Sequence, residues 1–186
     1  MCTGNICRSA LAERLGRTFL DEVAGEDASQ IRVVSAGTRA VVGSAMHPHS
    51  ALVLRSLGAE AGQFRARQLD EHMVADADLT LTMTRVHRRE VLERNPRALA
   101  RTFTLREAAD LLDRVADAPV EGGTLAARAG QLVKGMAAAR SGRQSGPDDD
   151  VRDPMGHPID VHYDVGTVIA ENLLRLLRRI ADAGSG

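Results

Sequence analysis

Apolar residues recur at helical spacing in two long segments, one near each end of the chain. Residues 8–24 carry the first stripe, at Ala12, Leu15, Phe19, Leu20 and Val23. Residues 164–180 carry a stronger one, at Val165, Val168, Ile169, Leu173, Leu176, Leu177 and Ile180. This spacing predicts amphipathic helices that each pack one face on a core. Further helices are predicted over residues 48–57, 86–95, 105–115 and 124–140.

Short segments between these helices have the apolar and β-branched character of strands. They are residues 31–34, 78–83 and 102–104. Strands that alternate with helices along the chain favour an α/β fold around a parallel sheet. We predict a single domain over residues 1–186, in which residues 121–150 form an insertion or extension that ends in a polar loop.

Charge and cysteine content narrow the possible environments and partners. The formal charge of -1 at pH 7 gives no broad attraction for nucleic acid or an anionic membrane. The sequence contains no run of the roughly 20 apolar residues that a membrane span needs. Cys2 and Cys7 lie too close together to form a disulfide framework. We expect a cytoplasmic protein with reactive thiols, no nucleic-acid partner and no membrane insertion.

Residues 2–9 read Cys-Thr-Gly-Asn-Ile-Cys-Arg-Ser and lead directly into the first helix. The residues between Cys2 and Arg8 can curl so that their N–H groups bind an oxyanion, helped by the positive end of the helix. Gly4 and Asn5 are the residue types that best tolerate the unusual backbone angles of such a loop. Arg8 can bind two phosphoryl oxygens, and the positive field favours the thiolate of Cys2, to which Ser9 can donate a hydrogen bond.

A thiolate in an anion-binding loop can attack phosphorus and form a thiophosphoryl intermediate. The leaving group then needs a proton, and Asp153 is the candidate donor because Pro154 biases it toward an extended, stiff turn. Asp153 can afterwards deprotonate the water that hydrolyses the intermediate. The predicted chemistry is hydrolysis of a phosphate monoester without a metal or other cofactor.

The motif of residues 2–9 resembles the signature of the bacterial low-molecular-weight protein tyrosine phosphatases. Further similar segments follow in that family's order, at residues 35–38 (Ser-Ala-Gly-Thr), 66–69, 79–83 and 153–154. The resemblance implies a three-layer αβα fold with a central four-stranded parallel sheet and a phosphate-binding loop at the N-terminus. Because the loop begins at residue 2, we expect the first strand to be absent or truncated and the true start to lie upstream.

The resemblance also implies roles for individual residues. Cys2 matches the nucleophile, Arg8 the phosphate clamp and Asp153 the general acid. Cys7 matches a second cysteine that forms a reversible disulfide with the nucleophile and so protects it from irreversible oxidation. The implied phosphate-binding residues are Thr3, Gly4, Asn5, Ile6, Cys7, Arg8 and Ser9.

The expected substrate is protein phosphotyrosine. Ile6 occupies a position where tyrosine-type members carry a bulky aliphatic residue and phosphoarginine phosphatases carry Thr. Val41, Met155 and His157 are the expected cleft residues, so aliphatic walls stand where many relatives place aromatic rings. The implied partners are phosphotyrosine proteins, with a bacterial tyrosine kinase as one candidate.

Two other functions remain open from the sequence. A thiol-dependent arsenate reductase would have to use Cys2 alone, because no cysteine lies beyond residue 7 to relay electrons. A catalytically weak phosphoprotein-binding module would follow from the truncated first strand.

Histidines and arginines outside the motif are assigned structural or surface roles. The spacing of His47, His49, His157 and His162 matches no firm zinc pattern, so we predict surface or capping roles and no metal ligands. A cluster of three arginines is predicted to form a solvated basic patch, at Arg85, Arg88 and Arg89.

Overall fold

The computed structural model describes residues 1–115 and 123–182. Its helices and strands are α1 (Arg8–Ala24), α2 (Pro48–Ser56), α3 (Glu71–Ala75), β1 (Thr80–Thr82), α4 (Arg85–Arg94), β2 (Thr102–Thr104), α5 (Leu105–Leu111), α6 (Leu125–Ala139) and α7 (Ile159–Ala181). Short 3₁₀ turns lie at Gly25–Gln30, Pro96–Arg101, Leu112–Arg114, Arg140–Gly142 and Pro147–Asp149. Of the predicted insertion, residues 121–122 lie outside the described residues.

The predicted helices form, with small changes at their ends. α7 begins five residues earlier than predicted, at Ile159, directly after its N-cap Pro158. α5 begins at a reciprocal cap, in which Thr104 Oγ1 accepts from the Glu107 amide and the Glu107 carboxylate accepts from the Thr104 amide. The hydrophobic pattern therefore predicted the helix interiors more accurately than the residues at which the helices begin.

The sheet is smaller than predicted. β1 and β2 pair in parallel, with Thr80 opposite Thr102 and Thr82 opposite Thr104. Beyond them, Gly37 forms single parallel bridges to Cys2 and to Gln68. The α/β class with a parallel sheet is confirmed, and the four-stranded sheet is not.

The predicted strand at residues 31–34 does not form, and side chains of α1 explain why. The Ile31 carbonyl accepts from Arg17 Nη1 at 2.9 Å. The Ser35 amide just beyond the segment donates to Glu13 Oε2 at 2.6 Å. These backbone groups are satisfied by side chains, so a strand ladder is not needed to pair them.

Residues 1 and 2 occupy the position between β1 and the Gly37 segment. The Met1 α-amino group donates to the Leu81 carbonyl at 2.8 Å, and the Met83 amide donates to the Met1 carbonyl at 2.9 Å. On the other side, the Thr38 amide donates to the Cys2 carbonyl at 2.9 Å. The beginning of the anion-binding loop is thus held by backbone hydrogen bonds on both sides.

The main core lies where α7 packs on α1, α2 and α5. Its fully buried side chains include Leu11, Leu15, Leu20, Ile169, Leu173 and Leu176. Each large aliphatic side chain buried this way contributes about 1.5–3 kcal/mol. Within the described part of the chain, no helix combines the length and apolar character needed to cross a membrane.

The predicted basic patch is wrong for two of its three arginines. Arg85 makes an ion pair with Asp150, with Nη2 2.9 Å from Oδ2. Arg88 makes one with the buried Glu107, with Nη1 2.6 Å from Oε2. Both guanidinium groups therefore join α4 to other segments, which a local charge run could not reveal.

Candidate active site

Four carbonyl groups of residues 2–9 are bound by amides of the segments that surround the loop. The carbonyl oxygens of Cys2, Thr3, Gly4 and Ile6 accept hydrogen bonds from the amides of Thr38, Arg39, Val41 and His47, at 2.8–3.0 Å. In the described part of the chain, the amides of residues 3–7 donate to no protein acceptor. A loop whose carbonyls are bound outside and whose N–H groups are free presents a site for an oxyanion.

One residue of the loop adopts the left-handed backbone conformation, and it is Asn5 rather than Gly4. Asn5 has φ 55°, and no glycine of the loop has a positive φ. Its side chain compensates for the strain: Nδ2 donates to Ser9 Oγ at 2.9 Å and to Ser35 Oγ at 2.8 Å, and Oδ1 accepts from the Arg67 amide at 2.8 Å. Asn5 is fully buried and holds the loop in shape.

Ser9 lies next to the thiol of Cys2. Ser9 Oγ and Cys2 Sγ are 2.9 Å apart, and both side chains are buried. Because Ser9 Oγ already accepts from Asn5, its own proton is available for the sulfur. The arrangement supplies a hydrogen-bond donor that stabilises a thiolate at Cys2.

The side chain of Arg8 is almost completely buried, with 4% exposed. Nη1 donates to the Val151 carbonyl at 3.1 Å, and Nη2 makes an ion pair with Asp153 Oδ2 at 2.7 Å. Nε is buried and has no hydrogen-bond partner among the described residues. Asp153 itself is half exposed, so the pair joins a fixed guanidinium to an accessible carboxylate at the edge of the loop.

The close packing of Gly37 against the loop explains why the Ser-Ala-Gly-Thr segment needs a glycine at this position. A Cβ at this position would lie 2.3 Å from the Thr3 carbonyl oxygen, which backbone cannot tolerate. The absence of a side chain lets this segment pack directly against the loop, where residues 36–39 form backbone hydrogen bonds with Cys2 and Thr3.

The predicted cleft residues differ in their position around the loop and in their exposure to solvent. Ile6 Cγ1 and Val41 Cγ2 lie 3.6 and 3.7 Å from the place where a Cβ on Gly4 would be, so all three residues adjoin. Val41 is 49% exposed and Met155 is 44% exposed. His157 is exposed, and its amide donates to the Pro154 carbonyl at 3.1 Å, which places it on the Asp153 turn.

Comparison with known proteins identifies the family. Residues 1–123 match the model of the low molecular weight phosphotyrosine protein phosphatases. The chain belongs to this family. It is accordingly a phosphatase, as the sequence predicted, and the match ends before Asp153 and α7.

Individual relatives extend the match over the rest of the chain. A protein-arginine-phosphatase of Geobacillus stearothermophilus is 30% identical over 98% of this chain and 91% of its own. The probable low molecular weight protein-tyrosine-phosphatase EpsP of Ralstonia nicotianae is 35% identical over 58% of this chain and 68% of its own. The solved YwlE arginine phosphatase from Geobacillus stearothermophilus has a TM-score of 0.66 at 28% identity, covering 95% of this chain and 87% of that one.

A buried histidine of this phosphatase, His87, supports the loop and was not predicted from the sequence. His87 Nε2 lies 2.9 Å from Thr3 Oγ1, and Nδ1 lies 2.8 Å from Thr84 Oγ1. Burial, then the charges of Arg8 and the N-terminus, lower its pKa to about 4, so the ring is neutral at pH 7. The signal in the sequence was weak, since His87 stands among arginines on a mostly charged helix.

The structure also brings together residues for which surface or capping roles were predicted. His162 is buried, and its ring stacks on that of His47 with centroids 4.8 Å apart. His49 packs edge-on against both rings. The prediction was wrong for His162, because His47 and His49 come from the start of α2 and His162 from α7, and no local spacing shows that they meet.

Proposed function

We propose that this chain is a protein phosphotyrosine phosphatase that uses Cys2 as its nucleophile and proceeds through a cysteinyl-phosphate intermediate. The observation that supports this most is the set of unpaired amides of residues 3–7 around a buried thiol that Ser9 hydrogen-bonds. Three non-bridging phosphoryl oxygens need this kind of dense donor array. The chemistry of these residues needs no metal ion.

In the first step, the Cys2 thiolate attacks phosphorus and the bond to the leaving oxygen breaks. Arg8 and the loop amides bind the phosphoryl oxygens, and they stabilise the charge that develops on them. Asp153, in its protonated form, gives its proton to the leaving phenolate. Its position on an accessible turn beside Arg8 supports this role.

In the second step, water attacks the phosphorus of the cysteinyl phosphate and the sulfur–phosphorus bond breaks. Asp153, now a carboxylate, takes the proton of that water. The hydrogen bond from Ser9 stabilises the departing Cys2 thiolate. Inorganic phosphate leaves, and the enzyme returns to its starting protonation state.

Aliphatic side chains at the mouth of the loop support an aryl phosphate as the substrate. Ile6 and Val41 adjoin Gly4, and Val41 and Met155 are exposed enough to contact a phenyl ring. Phosphotyrosine proteins are therefore the proposed partners. Free thiols at Cys2 and Cys7 are consistent with a reducing cytoplasmic setting.

A second candidate substrate is protein phosphoarginine. The relative from Geobacillus stearothermophilus that is named a protein-arginine-phosphatase aligns with 98% of this chain. The alignment with the tyrosine-phosphatase relative EpsP covers 58%. Ile6 is the residue on which the choice depends, because it stands directly beside the reaction site.

The test is a comparison of kcat/KM for matched phosphotyrosine and phosphoarginine peptides, with Ile6→Thr and the control Ile6→Val beside the parent. We expect the parent to prefer phosphotyrosine and Ile6→Thr to shift toward phosphoarginine. Faster turnover of phosphoarginine by the parent would overturn the assignment of substrate. Thiol-dependent arsenate reduction that exceeds aryl phosphate hydrolysis would overturn the assignment of reaction.

A further inference from the structure

Cys7, His47 and His162 converge behind the anion-binding loop. Cys7 precedes α1, His47 precedes α2, and His162 lies in the first turn of α7. The Cys7 sulfur and one ring nitrogen of each histidine all lie within 4.8 Å of one another. Three segments that are distant in sequence thus place three metal-ligand atoms in one small volume.

Polar atoms of this cluster are buried without hydrogen-bond partners. His162 is 2% exposed; its Nδ1 lies 3.0 Å from Ser50 Oγ, and its Nε2 is buried and unpartnered. His47 Nδ1 is also buried and unpartnered. Leaving such a group unsatisfied costs about 1–3 kcal/mol, so a ligand that engages these nitrogens recovers that energy.

We propose that Cys7, His47 and His162 form a binding site for a zinc ion. A thiolate and two imidazoles are the donor set that zinc prefers, and three protein ligands leave one tetrahedral position for water. Zinc bonds of about 2.0–2.3 Å separate tetrahedral ligand atoms by roughly 3.3–3.8 Å, so the side chains must close by about 1 Å.

The surroundings of the cluster favour this donor set. Ser50 Oγ lies 3.0 Å from His162 Nδ1 and so fixes the orientation of this ring. The edge-on ring of His49 covers the cluster, and its Nδ1 is also buried without a partner.

A zinc ion bound here would be linked to the anion-binding loop through Cys7 and His47, but it would take no part in the reaction. It would hold Cys7 as a metal-bound thiolate and so withdraw it from a disulfide with Cys2. It would also tie the end of the anion-binding loop to the starts of α2 and α7. The His47 amide already donates to the Ile6 carbonyl at 2.8 Å, so His47 is coupled to the loop.

The experiment uses Cys2→Ser protein, because the chain has only two cysteines and Cys7 is then its only thiol. Cobalt(II) added alone should give a sulfur-to-cobalt charge-transfer band, and zinc should displace it in a single equivalent. The band should vanish in the Cys2→Ser, Cys7→Ser double variant. In the Cys2→Ser background, His47→Gln or His162→Gln should weaken zinc binding by more than about tenfold.

The matched control is His72→Gln in the same background, since His72 is exposed on α3 and away from the cluster. It should bind zinc like its parent. Melting curves verify that each variant is folded, and His47→Gln decides the outcome if His162→Gln does not fold. No charge-transfer band in Cys2→Ser protein, or zinc affinity in His47→Gln equal to that of the His72 control, would overturn the proposal.

Discussion

The guanidinium of Arg8 is ion-paired with the carboxylate of Asp153, with Nη2 and Oδ2 2.7 Å apart. The proposed phosphate clamp and the proposed general acid therefore bind each other in the ligand-free protein. A phosphate that enters the loop competes with Asp153 for Arg8. When it wins, Asp153 is released from the ion pair close to the leaving group, and in its protonated form it is then placed to act as the acid.

Asp153→Asn should distinguish the two roles of this carboxylate. These roles are competition with phosphate for Arg8 and proton donation to the leaving group. Removing the competitor should tighten the binding of inorganic phosphate, measured as a lower inhibition constant. Removing the acid should lower kcat for aryl phosphates by roughly 100- to 10,000-fold. Asp148→Asn is the control, because it removes the same charge from an exposed position nearby. If both variants change phosphate affinity equally, the effect is one of general charge and the competition is refuted.

Ser9→Ala should remove a hydrogen bond that stabilises the thiolate of Cys2. The hydroxyl lies 2.9 Å from the sulfur and has its proton available for it, so its loss removes a direct stabilising contact. We expect slower turnover, and slower alkylation of Cys2 by iodoacetamide at pH 7 than in the parent. Ser29→Ala, at an exposed 3₁₀ position, should leave the alkylation rate unchanged. An unchanged alkylation rate in Ser9→Ala would contradict the role given to Ser9.

His87 should make the fold sensitive to acid. Its pKa is about 4 in the folded protein and about 6.5 when unfolded, so the unfolded chain binds the extra proton first. The stability it contributes is present above pH 6.5 and is lost as the pH falls toward 4, by about 2 kcal/mol because the ring is not wholly shielded from water. His87→Gln should flatten this part of the stability curve in urea titrations. A curve for His87→Gln that runs parallel to that of the parent between pH 6.5 and 4 would count against this account.

Glu107 should be the most costly single carboxylate to remove from the fold. It is 2% exposed and pairs with Arg88 on one side and Arg140 on the other, with Arg140 Nε 3.0 Å from Oε1. Glu107→Ala leaves both cations without this partner and removes a helix cap, which should cost roughly 3–5 kcal/mol. Urea unfolding against the exposed Glu93→Ala control measures this. Equal urea midpoints for Glu107→Ala and Glu93→Ala would show that the ion pairs of Glu107 with its two arginines do not stabilise the protein.

Local patterns predicted those parts of the fold that depend on local chemistry. The stripes of α1 and α7 and the order of strands and helices follow from side chains a few residues apart. The strand at residues 31–34 was wrong because Arg17 and Glu13, from a different element, satisfy the backbone there and just beyond it. Sheet size depends on partners that a segment's own pattern does not contain.

The candidate site likewise has one part that local sequence motifs predicted and another part that they did not. Residues 2–9 were visible because Cys2, Ser9 and Arg8 lie in one short motif, and the structure places them together. The pairing of Arg8 with Asp153 joins positions 145 residues apart. The role of Asp153 was predicted from the order of motifs, but its ion pair with Arg8 was not predicted. His87, His47 and His162 belong to no motif, because the contacts of His87 with Thr3 and of the other two histidines with Cys7 cross between separate elements.

The most direct test of the central claim is to locate the phosphoryl group in the reaction intermediate. Asp153→Ala protein is mixed with an aryl phosphate and quenched, and mass spectrometry of its peptides identifies the modified residue. The account predicts a phosphoryl group on the sulfur of Cys2, and none in the Cys2→Ala, Asp153→Ala double variant. A phosphoryl group on Cys7 or on any other residue, or continued turnover by Cys2→Ser protein, would contradict it.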